Sequence, residues 1–329
     1  MVLSHLSKCM LWLVSIEQLS SIEPEHKADF IRERLDQAGL DPDGLLNRCA
    51  FAPHPQSGLV EIAVSGGADS IALLILGYLF SPNLRVWHLD HELRPTSRSE
   101  AAAVKHLADT FSVECEVFHR HIEPGPNLEE RAREMRRSIF IAGVATGHTA
   151  DDLSETMIIN LIRGAGVHGL GSISVGAEHP ILDLRRHETE SICTALSIGF
   201  FLDESNIDPK FVRNRVRREV IPLLSDVSKR DVVPILARTA RILQQVSKYI
   251  TSQAEMLDPT NAKELAAAEE VIATEAIRRW LADERGHSLS YEHAQEVLKV
   301  ARGEKGATDL PGSIRVRRSK GRLSKFEIT

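Results

Sequence analysis

Between residues 59 and 162 the chain alternates two hydrophobic periods. Leu59–Val64, Leu84–Asp90 and Val113–His119 are apolar or alternating runs of strand length, and Val144–Thr146 is a shorter one. Between them, Ser70–Phe80 and Arg98–Phe111 read as helices, as does the stripe Leu128, Ala132, Met135 and Ile139. Thr149–Ile162 continues as a helix. Strands that alternate with helices predict a parallel sheet with crossover helices. Ligands of such a sheet lie outside the carboxyl ends of its strands. Upstream, Phe30, Ile31, Leu35 and Ala38 place helix within 24–48, followed by a Pro/Gly linker at 52–58. Downstream, 175–222 is mixed and 228–302 carries helical stripes, first Val232, Leu236, Ala240, Leu243, Val246 and Ile250, then Ile272, Ala276 and Trp280. Pro311-Gly312 opens a short β-like segment. The expected architecture is α/β, a Rossmann-like parallel sheet followed by a helical domain and a small basic β-rich C-terminus. The divisions expected are 1–56 (extension and linker), 57–222 and 223–329.

Composition narrows the class. Of 329 residues, 43% are hydrophobic and 26% charged, which supports a buried core and excludes wholesale disorder. No apolar run approaches the roughly 18 residues of a membrane helix. The patch Cys9–Ile16 has signal-peptide length, but no clear cleavage site follows it. Cys9, Cys49, Cys115 and Cys193 are scattered and form no CxxC pair, which fits a reducing, cytoplasmic setting. Net charge is 40 − 46 = −6, yet base is concentrated in two runs. Lys210, Arg213, Arg215, Arg217 and Arg218 form one, and Arg315, Arg317, Arg318, Lys320, Arg322 and Lys325 the other. Such stripes can neutralise phosphates on an acidic protein, because screening confines each to about 8–10 Å.

Candidate chemistry falls at the strand ends. Ser65-Gly66-Gly67-Ala68-Asp69-Ser70 follows a strand and opens a helix. Its glycines admit a phosphate close to the backbone, and the helix-start amides hold negative charge. Ser65 and Ser70 can add hydroxyls, and Asp69 can hold a magnesium ion bridging phosphates. A glycine turn that merely caps a helix is the plainer alternative. No Walker A pattern occurs. His88-Leu89-Asp90-His91-Glu92-Leu93-Arg94 invites a zinc reading, but no third ligand at suitable spacing is evident, so a nucleotide-site rim is expected. In Gly147-His148-Thr149-Ala150-Asp151-Asp152-Leu153-Ser154-Glu155-Thr156, Asp152 and Glu155 are i,i+3 neighbours and pair two carboxylates on one helix face. Gly164–Gly169 matches GxGxxG but follows a helix, so the dinucleotide context is absent. Arg131, Arg133, Arg136 and Arg137 share one helix, and near a triphosphate one or two could neutralise developing charge.

Together these segments resemble the N-type ATP pyrophosphatases, and within them the tRNA(Ile)-lysidine synthetase family in its compact form. The matches run in order: SGGADS at 65–70, HLDHELR at 88–94, Ala132-Arg133 with Arg136, GHTADDLSET at 147–156 and RGAGVHGL at 163–170. Asp203-Glu204-Ser205-Asn206 and Arg213-Asn214-Arg215-Val216-Arg217 complete the set. Leu153, His179 and Arg137 depart from the family pattern.

The resemblance implies a PP-loop fold that uses ATP and Mg2+. It implies adenylation of the wobble cytidine in an isoleucine tRNA with a CAU anticodon, then displacement of AMP by free lysine. Implied catalytic groups are Asp69, Arg133, Arg136, Asp152 and Glu155, with Ser65, Gly66, Gly67, Ala68, Asp69, Ser70 and, more weakly, His91 at the nucleotide. Asp69 would hold the metal. Arg213, Asn214, Arg217, Arg315, Arg317, Arg318 and Lys320 would grip the tRNA. No membrane partner is expected, and a homodimer stays open. The rivals are a tRNA thiolase of the same class, which would want paired cysteines, and a nucleotide- or RNA-binding module without catalysis.

Overall fold

The computed structural model describes residues 18–92, 96–123, 125, 128–171, 173–201, 210–282 and 289–328. The chain forms two compact units, residues 1–240 and 241–329.

In the first unit, β1 (Val60–Ala63), β2 (Leu84–Asp90) and β3 (Glu114–His119) make a parallel sheet in the order β1-β2-β3. Residue 60 pairs with 84 and residue 90 with 119 at the two ends of the ladder. The expected fourth strand is reduced to a parallel bridge between Ile62 and Ala145, on the free side of β1. Parallel neighbours need crossover connections. The helix Ala68–Phe80 joins β1 to β2, and Ser97–Thr110 joins β2 to β3. Leu128–Ile139 follows β3, before the chain returns to Ala145.

With α1 (Pro24–Gln37) and α2 (Pro42–Asn47) counted first, these crossovers are α3, α4 and α5. Every residue of α3 from Ser70 to Tyr78 is buried, and Ile71, Leu73, Leu74, Ile75 and Leu76 have no exposed surface. At ~1.5–3 kcal/mol per fully buried large apolar side chain, this helix is the anchor of the unit. The Ser65–Ser70 loop is its first turn and inherits that rigidity. Leu19, Ile31, Leu35, Leu45 and Phe51 join the same core, so the described residues between 18 and 56 pack as part of this unit.

Parallel pairing sets Val64-Ser65, Asp90-His91, His119 and Thr146-Gly147 side by side at one end of the sheet. Two further helices reach that end, α6 (Ala150–Ile162) and, after the short α7 (Val167–Leu170), α8 (Arg186–Ala195). Then come α9 (Val212–Arg215), a π-helical stretch at Val216–Val220 and α10 (Ile221–Ser228). Single π turns inside helices concentrate at functional sites.

The helix α11 (Val233–Ala254) carries the chain past residue 240. The second unit holds α12 (Ala262–Ala267), α13 (Glu270–Trp280) and α14 (Tyr291–Arg302) around Leu265, Ile277, Val297, Leu298 and Val300. The basic terminus is an antiparallel sheet of β4 (Ala307–Leu310), β5 (Ile314–Ser319) and β6 (Arg322–Glu327). Its first strand begins before the Pro311-Gly312 pair, which is the turn into β5. Lys320 and Gly321, both at positive φ, form the two-residue turn between β5 and β6. Among the described residues no helix is long and apolar enough to cross a membrane.

Candidate active site

The glycine loop leaves β1 and turns at Gly66, whose φ of +88° favours glycine. Space demands glycine too: a Cβ there would meet the Phe201 ring at 2.7 Å. Main-chain N–H groups of Ser65 and Gly66 both donate to Ser70 Oγ at 3.1 Å. That hydroxyl in turn donates to Gly67 O at 2.9 Å. Ser70, expected to add a hydroxyl donor for the phosphate, instead spends its proton on shaping the loop. Ser65 is exposed, and Gly67–Asp69 are half-buried. The N-cap Gly67 makes no side-chain capping bond, so the first-turn amides of α3 stay available to an anion.

Gly147 brings the second motif against this loop. A Cβ at 147 would stand 2.9 Å from the Asp69 carbonyl carbon and oxygen and 3.0 Å from Ser70 N. The next residues start α6 through a capping box, in which Thr149 N and Oγ1 each donate to Asp152 Oδ2 at 2.9 Å. Glu155 lies one turn on, fully buried.

An arginine that the sequence reading did not single out joins the motifs. Arg186, at the start of α8, reaches Asp69 Oδ2 at 3.5 Å, Asp152 Oδ1 at 2.9 Å and Glu155 Oε1 at 3.1 Å. Its main-chain N–H donates to Asp151 at 2.9 Å, and Arg185 pairs with the same carboxylate. Thr189, one turn later, donates to Asp69 Oδ1. Two consecutive arginines before an acid at the third helical position, with Arg185 N donating to Glu188 at 2.8 Å, were a legible helix start. Nothing local marked Arg186 as the centre of the site.

Electrostatics sort the acids. Burial pushes the Asp69 carboxyl up to about 6, with the nearby Asp152 charge adding to it against Arg186 and Thr189. Burial pulls Asp152 the same way, but Arg186, His148 and the Thr149 bonds outweigh it and hold it below the ordinary carboxylate range. The carboxylates hold Arg186 above its ordinary value against the effect of burial.

The remaining expected residues divide. Arg217, placed by the sequence among tRNA phosphates, instead grips Glu155 with Nε–Oε1 at 2.6 Å and Nη2–Oε2 at 3.0 Å. Arg213 donates to Thr156 Oγ1 at 3.1 Å, and Asn214 is buried. The basic run 210–218 thus turns part of its charge inward, onto α6. Arg136 is half-buried near His91, whose imidazole is pushed down to about 4 by burial and then by Arg136. Arg133 lies on α5, its side chain outside the described residues, and Asp203–Asn206 fall outside them as well. His88 is buried and bonds Val64 O through Nδ1 at 2.7 Å, a satisfied strand-end histidine. Of the departures, Leu153 is core, and His179 shares the Thr146 hydroxyl with His148 at 2.9 and 2.7 Å.

On the terminal sheet, Arg315, Arg317 and Arg318 are exposed, as is Lys320 in the turn. Arg315 is tied to Asp309, with Nη2–Oδ2 at 2.8 Å, and Arg318 donates to Ala301 O at 2.8 Å. Arg317 lies over the exposed Phe326 ring, 5.3 Å from its centre. By register Arg315, Arg317 and Phe326 share one face of that sheet.

Comparison with known proteins places the chain in a family. Residues 46–224 match a family model described as a PP-loop domain, and residues 261–324 match the TilS substrate binding domain. The tRNA(Ile)-lysidine synthase of Gloeobacter violaceus is 35% identical over 275 residues, covering 74% of this chain and 82% of that protein. Its counterpart from Salinispora tropica is 34% identical over 85% of this chain and 94% of its own length. The one from Rhodococcus erythropolis is 30% identical over 83% and 90%. With an ATP-binding PP-loop unit and a matched substrate-binding segment in order along one chain, the protein belongs to the tRNA(Ile)-lysidine synthase family.

Proposed function

We propose that the chain ligates free lysine to the wobble cytidine of an isoleucine tRNA with a CAU anticodon, in the cytoplasm where that tRNA is found. The observation that carries this reading is the Arg186 node, which joins Asp69 of the nucleotide loop to Asp152 and Glu155. Cytosine O2 attacks the α-phosphorus of ATP, the Pα–O bond to diphosphate breaks, and the base is left carrying O-linked AMP. The lysine ε-amine then attacks C2. AMP departs with the oxygen, and the amine's surplus proton passes to a carboxylate.

The first half belongs to the loop. Amides at the start of α3 receive phosphate oxygens, and Gly66 and Gly67 let them come close. Asp69 suits a magnesium ion: it is an oxygen donor that keeps some exposure, and burial first and then the Asp152 charge raise its carboxyl to about 6, a setting that a cation would relieve. When bound there, the ion supplies charge neutralisation at the phosphates.

The second half belongs to α6. A lysine amine is neutral in only about one molecule per few thousand at pH 7, a cost of ~4–5 kcal/mol. Asp152 and Glu155 offset this by receiving the ammonium, orienting it and taking its proton. Arg186 and Arg217 both hold Glu155 Oε1 and Arg217 alone holds Oε2, so the ammonium either shares Oε2 with Arg217 or replaces one of these bonds.

Exposed Arg317, Phe326 and Lys320 are suited to tRNA, the first two as a stacked pair that can extend under a splayed base. A thiolase is disfavoured by the thiols of the described residues. Burial pushes Cys49 up to about 12 and Cys115 to about 11, and Cys193 is raised as well.

The test is diphosphate release from ATP with CAU-anticodon tRNA, with and without lysine, alongside transfer of radiolabelled lysine into the RNA. Release that depends on tRNA, with label that depends on lysine, is expected. Sulfur transfer in place of lysine, or no release at all, overturns the reading.

A further inference from the structure

We propose that Asp90, Glu92 and His119 form a site for a first-row divalent cation of the zinc or manganese kind, separate from the nucleotide loop. Strand register creates it. Asp90 ends β2 and sits opposite His119, the last residue of β3. Asp90 Oδ2 lies 3.1 Å from His119 Nδ1. The chain reverses just after β2, where Glu92 N–H donates to Asp90 Oδ1 at 2.8 Å and Glu92 adopts φ +52°. One ligand atom from each of the three residues lies within 4.8 Å of the other two. His119 follows Asp90 by 29 positions, which is why the sequence showed no third ligand.

Charge supplies the second argument. The Asp90 side chain is 1% exposed, and among the described residues no lysine or arginine pairs with it. A buried carboxylate ordinarily has a fixed cation or coordinates a metal. Here its partners are neutral donors, the Glu92 N–H and the Ser97 side chain, with the His119 imidazole and the Glu92 carboxylate beside them, and among the described residues Glu92 pairs only with Arg98 at 3.7 Å, on a side chain that is 83% exposed. The set is two carboxylates and one imidazole. Mixed oxygen and nitrogen donors favour zinc, manganese, iron or cobalt over magnesium or calcium. His119 is half exposed and Glu92 partly so, leaving room to close to the ~2.0–2.2 Å of such bonds and water free to fill the open positions. A cation here would pin the ends of β2 and β3 beside His91, whose Nδ1 is buried without a partner.

The full untagged chain, stripped with chelator and free of nucleotide, is titrated with Co2+ and then with Zn2+. One equivalent of Co2+ should give ligand-field bands that Zn2+ abolishes. Glu92→Gln and His119→Gln should each weaken binding by more than ~10-fold. Asp69→Asn should leave it intact, and this separates the site from the nucleotide loop and keeps the test independent of the proposed ligation. The proposal is overturned by no binding, by binding that survives His119→Gln, or by binding lost in Asp69→Asn. Both substituted ligand positions are partly solvent-facing, and circular dichroism of each variant verifies that it folds.

Discussion

Arg217 closes two nitrogens on Glu155, Nε on one oxygen at 2.6 Å and Nη2 on the other at 3.0 Å. Glu155 has a side chain 1% exposed, so its charge is tolerated only because Arg217 and Arg186 surround it. Breaking a buried pair from one side costs several kcal/mol, and the second arginine softens this. Arg217→Gln and Glu155→Gln should each lower the urea unfolding free energy by ~2–3 kcal/mol. The double variant should lose clearly less than the sum of the two. Additive losses would mean that the pair is not coupled.

Asp152→Asn tests the chemistry. Loss of a positioned acid–base group removes about 10²–10⁴ in rate. Lysine transfer should therefore fall at least ~100-fold, while ATP affinity, followed by nucleotide fluorescence, stays within a few-fold. Transfer at the wild-type rate would remove this carboxylate from the reaction.

Asp69 links pH to stability with an unusual sign for an aspartate. Its folded carboxyl titrates near 6, above the ordinary 3.8. Both states are protonated at the lowest pH. As pH rises from about 4 to about 6 the unfolded carboxyl ionises first, so the contribution of this group to stability falls through that window and stays low above it. In the nucleotide-free chain Asp69→Asn should thus raise stability at pH 8 by ~1–3 kcal/mol and flatten that part of the pH profile. The same variant should lose diphosphate release. Thermal unfolding at pH 5 and pH 8, without magnesium, checks the first half.

Gly147→Ala should damage ATP handling from outside the glycine loop. The new Cβ would collide with main-chain atoms of Asp69 and Ser70, which cannot swing aside. A cost of ~1–3 kcal/mol in denaturant unfolding and a raised KM for ATP are expected. Unchanged values for both would show that the two motifs do not bear on each other.

On the terminal sheet, Arg317→Ala should reduce tRNA affinity and lower the slope of log K against log salt by about 1. Arg315→Ala should do less, because Arg315 already pairs with Asp309. Filter binding across a potassium chloride series separates them.

The sequence made much of this legible. The alternation of strand-length and helical runs predicted β1, β2, β3, α3 and α4, because α4 turns one face to the core and α3 is apolar enough to be buried all round. Asp152 and Glu155 were readable as a pair since both lie on one helix. Arg186 was hidden: it stands 117 positions from Asp69, and only the folding of α8 onto α3 brings them together. The basic neighbours of Arg217 point to a phosphate contact, and charge runs in sequence do not reveal which member of the run turns inward. The fourth strand shrank to one bridge because Val144–Thr146 offers only three residues to pair.

The box formed by Thr149 and Asp152 also constrains redesign. One oxygen of Asp152 anchors the beginning of α6, and only the other is turned toward Arg186. An engineer seeking a different amine donor would have to keep a side-chain oxygen at 152, as Asp152→Asn does, simply to hold that helix in place. Selectivity would have to be altered through the neighbouring arginines.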